Sequence, residues 1–163
     1  MIRVKAHGIL SIASFALLTA GGPSLSVEHQ HEQGSSHGSG ADTREVVHFP
    51  EPVRVHTLAN MRDHLLALQQ IQQALGSGAF DQAADIAEQR LGMTSLRTHG
   101  AHEIAPFMPE KMQQIGTEMH HAASRFALAA RDASATGEIQ PALTAMAGVM
   151  AQCVACHAAY RVR

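Results

Sequence analysis

The chain has 163 residues, with 12 basic and 14 acidic side chains, 12 histidines and a formal charge of −2 when histidine is neutral. No lysine or arginine cluster appears, which excludes nucleic acid as a partner. Aromatic residues are scarce, with no tryptophan and one tyrosine, so any core must rely on aliphatic side chains or on an added group.

Residues 1–26 read as an export signal. Arg3 and Lys5 give a positive start, Ile9 to Ala20 forms a short apolar run, and small residues follow. The run is too short to span a bilayer comfortably. Cleavage is expected after Ser26, with Ala20 as the other site, and the absence of a nearby cysteine argues against a lipid anchor. Removing the segment takes away Arg3 and Lys5 and no acid, which leaves ten basic and fourteen acidic residues and a charge of −4. No stable membrane insertion is expected of the mature chain, and its remaining length suits one domain.

Residues 27–47 are polar, rich in glycine and serine, and read as a flexible leader that cannot bury enough surface to order itself. His29, His31 and His37 within it could collect a transition metal only loosely. The domain proper is expected over 48–163, and from Pro52 onward the apolar spacing becomes helical.

Four helices are predicted. The first runs from about Pro52 to Leu75, with Leu58, Met61, Leu65, Leu68 and Leu75 on one stripe. The second runs from about Gln82 to Leu91, capped by Asp81, with Ala83, Ala84, Ile86, Ala87 and Leu91 inward. A loop punctuated by Gly92, Gly100, Pro106 and Pro109 follows. The third helix is expected from about Pro109 to Asp132 with Met112, Ile115, Met119, Phe126 and Ala130 inward. The fourth is expected from about Gln140 to Tyr160 with Leu143, Met146, Val149, Met150, Cys153 and His157 inward. No segment alternates as a strand does. The predicted class is all-α, arranged most simply as an up-down-up-down antiparallel four-helix bundle.

The last helix carries the chemistry. Cys153-Val154-Ala155-Cys156-His157 holds the only two cysteines and follows the second directly with a histidine, the attachment pattern of a c-type haem. On a helix, positions three and four apart share a face, so two thioethers and one imidazole can address one edge and the iron of a porphyrin. A dithiol redox pair fits less well without a strand before it. A zinc site lacks a second cysteine pair, and a disulfide one turn apart closes a very small loop. Covalent haem attachment takes place outside the bacterial inner membrane, so the export signal and the motif agree on a periplasmic protein.

A second group, His99, His102 and Glu103 with His120, His121, Met108 and Met112, has ligand types that suit copper, but its spacing specifies no site. There is no recognisable nucleophile, base and acid spacing and no phosphate loop, so an enzyme is not expected.

A haem motif at the very end of a four-helix chain, continuing as His157-Ala158-Ala159-Tyr160-Arg161, resembles the cytochrome c prime superfamily, the class II c-type cytochromes, and its low-spin relatives. The likeness covers about residues 50 to 163. It implies one covalent haem c, His157 as the proximal iron ligand and Arg161 as the basic residue beside it. Arg54 resembles the arginine early in the family's first helix. Counting from it places the distal position at or beside Leu58, with Thr57 its neighbour and Met61 one turn later.

If Met61 is the sixth ligand, a closed His/Met site suits a one-electron carrier that serves redox partner proteins. If Leu58 covers an open position, the protein becomes a five-coordinate binder of nitric oxide or carbon monoxide. His56 and His64 read as surface residues beside an apolar distal face. Family members are often homodimers through their first two helices, and Leu66 and Ile71 are what the outer side of this helix offers to such a contact.

Overall fold

In the computed structural model, which describes residues 41–163, the chain is mostly helical. In order it forms β1 (Glu45–Val47), α1 (Glu51–Gly76), α2 (Phe80–Arg90), α3 (Ala101–Ile104), α4 (Glu110–Thr136), α5 (Gln140–Ala159) and β2 (Tyr160–Val162). Single 3₁₀ turns lie at Met93–Ser95 and Ala105–Phe107. The expected signal, its cleavage site and His29, His31 and His37 lie outside the described residues.

Prolines set the helix starts, because their fixed φ suits the first turn and their missing N–H is not needed there. Pro52 and Pro141 sit in the first turns of α1 and α5, and Pro50 and Pro109 precede α1 and α4. Gly137 ends α4 in the left-handed conformation at φ 78°, its N–H bonded to the Ala133 carbonyl at 2.8 Å. These signals place the four long helices within a few residues of expectation. The middle loop is more structured than its composition suggests, with the short helix α3 between two tight turns.

The strands are a correction. Val46 and Val47, assigned by composition to the flexible leader, belong to β1, which pairs in parallel with β2 in the register Glu45 to Tyr160, Val46 to Arg161 and Val47 to Val162. Three residues are too few to display a period of two, and the partner strand lies at the far end of the chain. Bonds from Arg163 N to Val47 O at 2.9 Å and from Phe49 N to Arg163 O at 3.1 Å extend the ladder. The ladder ties the start of α1 to the end of α5.

The long helices pack in a row, α1 on α2, α2 on α4 and α4 on α5, while α1 and α5 make little direct contact. The main core is built from alanines around Phe126, Ile71, Leu91 and Val149. Alanine lets helix axes approach closely, so small residues take the inner positions and larger ones move to the flanks. This rotates two of the expected stripes. On α1 the buried residues are Thr57, Ala67, Ile71, Ala74 and Leu75. Leu65 is 69% exposed and Ile71, expected outside, is fully buried. On α5, Ala142, Met146 and Val149 are buried and Cys153 half-buried, whereas Leu143, Met150 and His157, all expected inward, are exposed, as is Val154. The stripes of α2 and α4 agree with expectation apart from half-buried Ile86 and Ile115. Among the described residues α5 is the one helix long and apolar enough to cross a bilayer, with a mean hydropathy of 1.4, and here it lies along α4.

A smaller cluster of Val47, Phe49, Ile104, Met112 and Tyr160 fills the end of the molecule that carries the strands. Between the two cores lies a cavity.

Candidate functional site

The cavity has a volume of about 430 Å³ and is walled by five parts of the chain. The end of α5 and β2 supply Cys156, His157, Tyr160 and Arg161. Thr57, Leu58, Asn60, Met61 and His64 come from α1, and Met112, Met119 and His120 from α4. The middle segment adds Leu96, His99 and Met108, and Arg44 reaches in from before β1. Residues spread over the whole sequence are thus brought to one place by the α4–α5 hairpin and the parallel ladder.

Of the expected site residues, Cys156, His157, Arg161, Leu58 and Met61 stand on this wall. Cys153 is one turn back, half-buried against the main core. Arg54 is not on the wall. Its guanidinium grips Glu51 in the same first turn, Nε to Oε2 at 2.8 Å and Nη2 to Oε1 at 2.9 Å, so its role beside the distal position is not seen here.

Both cysteines are free, and burial pushes both thiols up, which leaves them protonated at neutral pH. Beside them the rim is cationic. Arg44 holds Asp42 through Nε at 2.9 Å and Nη2 at 2.8 Å, and its Nη1 donates to the His157 carbonyl at 3.3 Å. The hydrogen bonds from Arg44 hold the Asp42 carboxyl well below the usual carboxylate range. Arg161 Nε lies 3.4 Å from the same carboxylate, yet it is buried without a hydrogen-bond partner. Two guanidiniums therefore share one carboxylate. The Thr57 hydroxyl on the opposite wall is also buried and unpartnered. Orphaned polar atoms of this kind are costly and rare in a native interior. Two thiols one turn apart, an adjacent imidazole, walls of methionine and leucine, and a rim where two guanidiniums share a single carboxylate fit a flat apolar group that carries carboxylates, as haem c does.

The remaining wall holds three histidines from three elements. Ring centroids of His64 and His99 are 4.7 Å apart, those of His99 and His120 5.6 Å, and those of His64 and His120 6.4 Å. His120 Nδ1 donates to the Leu91 carbonyl at 2.7 Å. The Ser95 hydroxyl gives its proton to the Gly92 carbonyl at 2.7 Å, so toward His99 Nδ1 at 3.3 Å it can only accept. The His99 carbonyl is held by Asn60 Nδ2 at 2.8 Å and His56 Nε2 at 3.0 Å. Burial lowers all three imidazoles below their usual value, and neighbouring His99 and His120 help push His64 down to about 4. At neutral pH the cluster is uncharged.

These contacts revise one expectation. His64 is half-buried on the cavity wall rather than on the surface, and with Thr57 and Asn60 it makes the α1 wall partly polar. Of His99, His102, Glu103, His120 and His121, whose spacing specified no site, the fold brings His99 and His120 together and leaves His102, Glu103 and His121 exposed. Among the described residues no group of three or more histidine, cysteine or acidic side chains is placed to hold a metal ion. Spacing did contain a clue to the trio. Thr57, His64 and Ile71 recur every seven residues, the period of an inward stripe. Arg44 carried no comparable signal. No family model, curated protein or solved structure matches the chain.

Proposed function

We propose that the protein is an exported c-type cytochrome that carries single electrons between redox partners in the periplasm, its haem held by Cys153, Cys156 and His157. The observation that supports this most directly is the cavity itself. It opens against Cys156 and the neighbouring His157, with Cys153 one turn behind on α5, and at its rim Arg161 Nε, though 3.4 Å from the Asp42 carboxylate, makes no hydrogen bond among the described residues. Each thiol adds across a vinyl group, forming one C–S bond while its proton goes to the adjacent vinyl carbon, with no net redox change. When bound, haem c supplies a one-electron couple.

The chain's own residues account for the rest. His157 would offer the iron an imidazole from the last turn of α5. Arg161 and Arg44 offset the ligand's carboxylates at the rim. Met108, Met112 and Leu58 keep water from the face of the ring. A second iron ligand would come from α1, whose wall residues include Met61. On this reading the four long helices form an antiparallel bundle in which the group fills the space between α1 and α5, which protein contacts leave nearly unbridged.

The test is mass spectrometry of protein matured in a host competent for covalent haem attachment. The intact chain should gain the mass of one haem, and the Cys153→Ser/Cys156→Ser variant should gain none. A wild-type chain without added porphyrin mass refutes the proposal. In the loaded protein, a reduced spectrum unchanged by carbon monoxide supports a carrier. A high-spin spectrum that shifts with carbon monoxide supports gas binding instead.

A further inference from the structure

We propose that His64, rather than a thioether, supplies the sixth iron ligand, giving the haem two axial imidazoles. The inference rests on the haem reading above and adds the identity of the distal group.

Height along the bundle is the first argument. The α4–α5 hairpin turns between Thr136 and Gln140, and His120 and Cys156 are each eighteen residues from its centre at Glu138. At about 1.5 Å per residue both stand about 27 Å from the turn, so His120 marks the level of Cys156 and His157 on the neighbouring helix. The His64 ring is 6.4 Å from that of His120. His64 on α1 and His157 on α5 therefore line one cavity at one level, from the two helices that do not pack on each other. Met61 is a turn nearer the start of α1, displaced toward the strand end.

The second argument is the state of the His64 lone pair. The hydrogen bond of His64 Nε2 runs to His99 Nδ1 over 3.5 Å, the outer limit of such a contact. The His99 proton has a closer acceptor in the Ser95 hydroxyl at 3.3 Å. His99 is fixed in turn through its carbonyl by Asn60 and His56. A neutral imidazole on the stripe shared with Thr57 and Ile71 is thus left weakly paired on the cavity wall. An iron ligand requires such a lone pair, and coordination through Nε2 would replace the long contact to His99.

The experiment is optical and electron paramagnetic resonance spectroscopy of the full chain carrying covalent haem. Wild type is expected to be low-spin and to lack the far-red charge-transfer band of a thioether on ferric iron. Met61→Ala should leave the spectrum low-spin. His64→Ala should become high-spin and bind carbon monoxide when reduced. His64→Met should stay six-coordinate and gain the thioether band, which keeps the test decisive if the alanine variant folds poorly.

A thioether band in wild type that vanishes in Met61→Ala overturns the proposal, as does a high-spin wild type or a His64→Ala spectrum like that of wild type. In each of these cases haem attachment survives, and only a high-spin wild type that shifts with carbon monoxide also replaces the electron-carrier reading with gas binding. A chain that acquires no haem overturns both.

Discussion

Acidifying the haem-free Cys153→Ser/Cys156→Ser protein from pH 7 to 5 should remove about 2 kcal/mol of folding free energy through His64 alone. In the unfolded chain the imidazole titrates near 6.5, whereas burial, aided by His99 and His120, holds it down to about 4 in the fold. Below pH 6.5 the unfolded state binds a proton that the folded state refuses. The cost is thus absent at higher pH, grows as pH falls, and levels off near pH 4. A shift of this size amounts to about 2 kcal/mol at pH 5 and about 3 kcal/mol at its limit. Partial exposure of the ring trims both figures. His99 and His120 are lowered in the same direction by burial and add to the effect. Asp63 is depressed by its hydrogen bond from Arg90, so it loses its contribution only below the usual carboxylate range, outside this window. The assay is urea unfolding followed by helical circular dichroism at pH 7, 6 and 5. The midpoint should fall with pH at constant m-value, and His64→Leu should flatten the trend. Equal midpoints at pH 7 and 5, or an undiminished trend in His64→Leu, would refute the reasoning.

Phe126→Ala should cost about 3–5 kcal/mol and lower the melting temperature by more than about 10 °C, because the ring is fully buried among alanines that cannot move in to fill the space. A drop of less than about 1 kcal/mol in chemical denaturation would show that the core collapses around the cavity. If the proposed haem fills the cavity, Arg161→Gln removes a positive charge from its rim, and that loss favours oxidised iron. Protein-film voltammetry should show the reduction potential lowered by tens of millivolts, about the scale of one partly screened charge at that range, and an unchanged or raised potential would place Arg161 away from the ring.

How much of this was legible in the sequence depends on the length scale of the signal. Helix ends were readable because proline and glycine act locally, and Pro52, Pro109, Pro141 and Gly137 sit where their backbone preferences put them. The grouping of Cys153, Cys156 and His157 was readable for the same reason, since the three lie within two turns of α5. The ladder was not, because Val46 and Val47 acquire strand geometry only through Arg161 and Val162 at the other end of the chain. Arg44 belongs to the same class of surprise. It reaches the His157 carbonyl because the ladder carries it there, and the glycine-rich stretch before it gives no hint of order.

The inward faces of α1 and α5 failed for a different reason, and that reason bears on function. Hydrophobicity selects leucine as the buried residue, whereas a close helix pair selects alanine, because the free energy comes from many short contacts between helices that small side chains allow to approach. Ala67 and Ala74 therefore displace Leu65 to solvent and turn α1 so that Thr57 and His64 face inward with Ile71. Continuing that stripe past the alanine core leads to polar side chains where an apolar distal face was expected. A polar residue at an inward position needs a partner. Among the described residues Thr57 has none, and His64 has only a long contact to His99. The alanine packing that closes one end of the molecule thus turns hydrogen-bonding and ligating groups into the cavity at the other, opposite the one helix that carries cysteine.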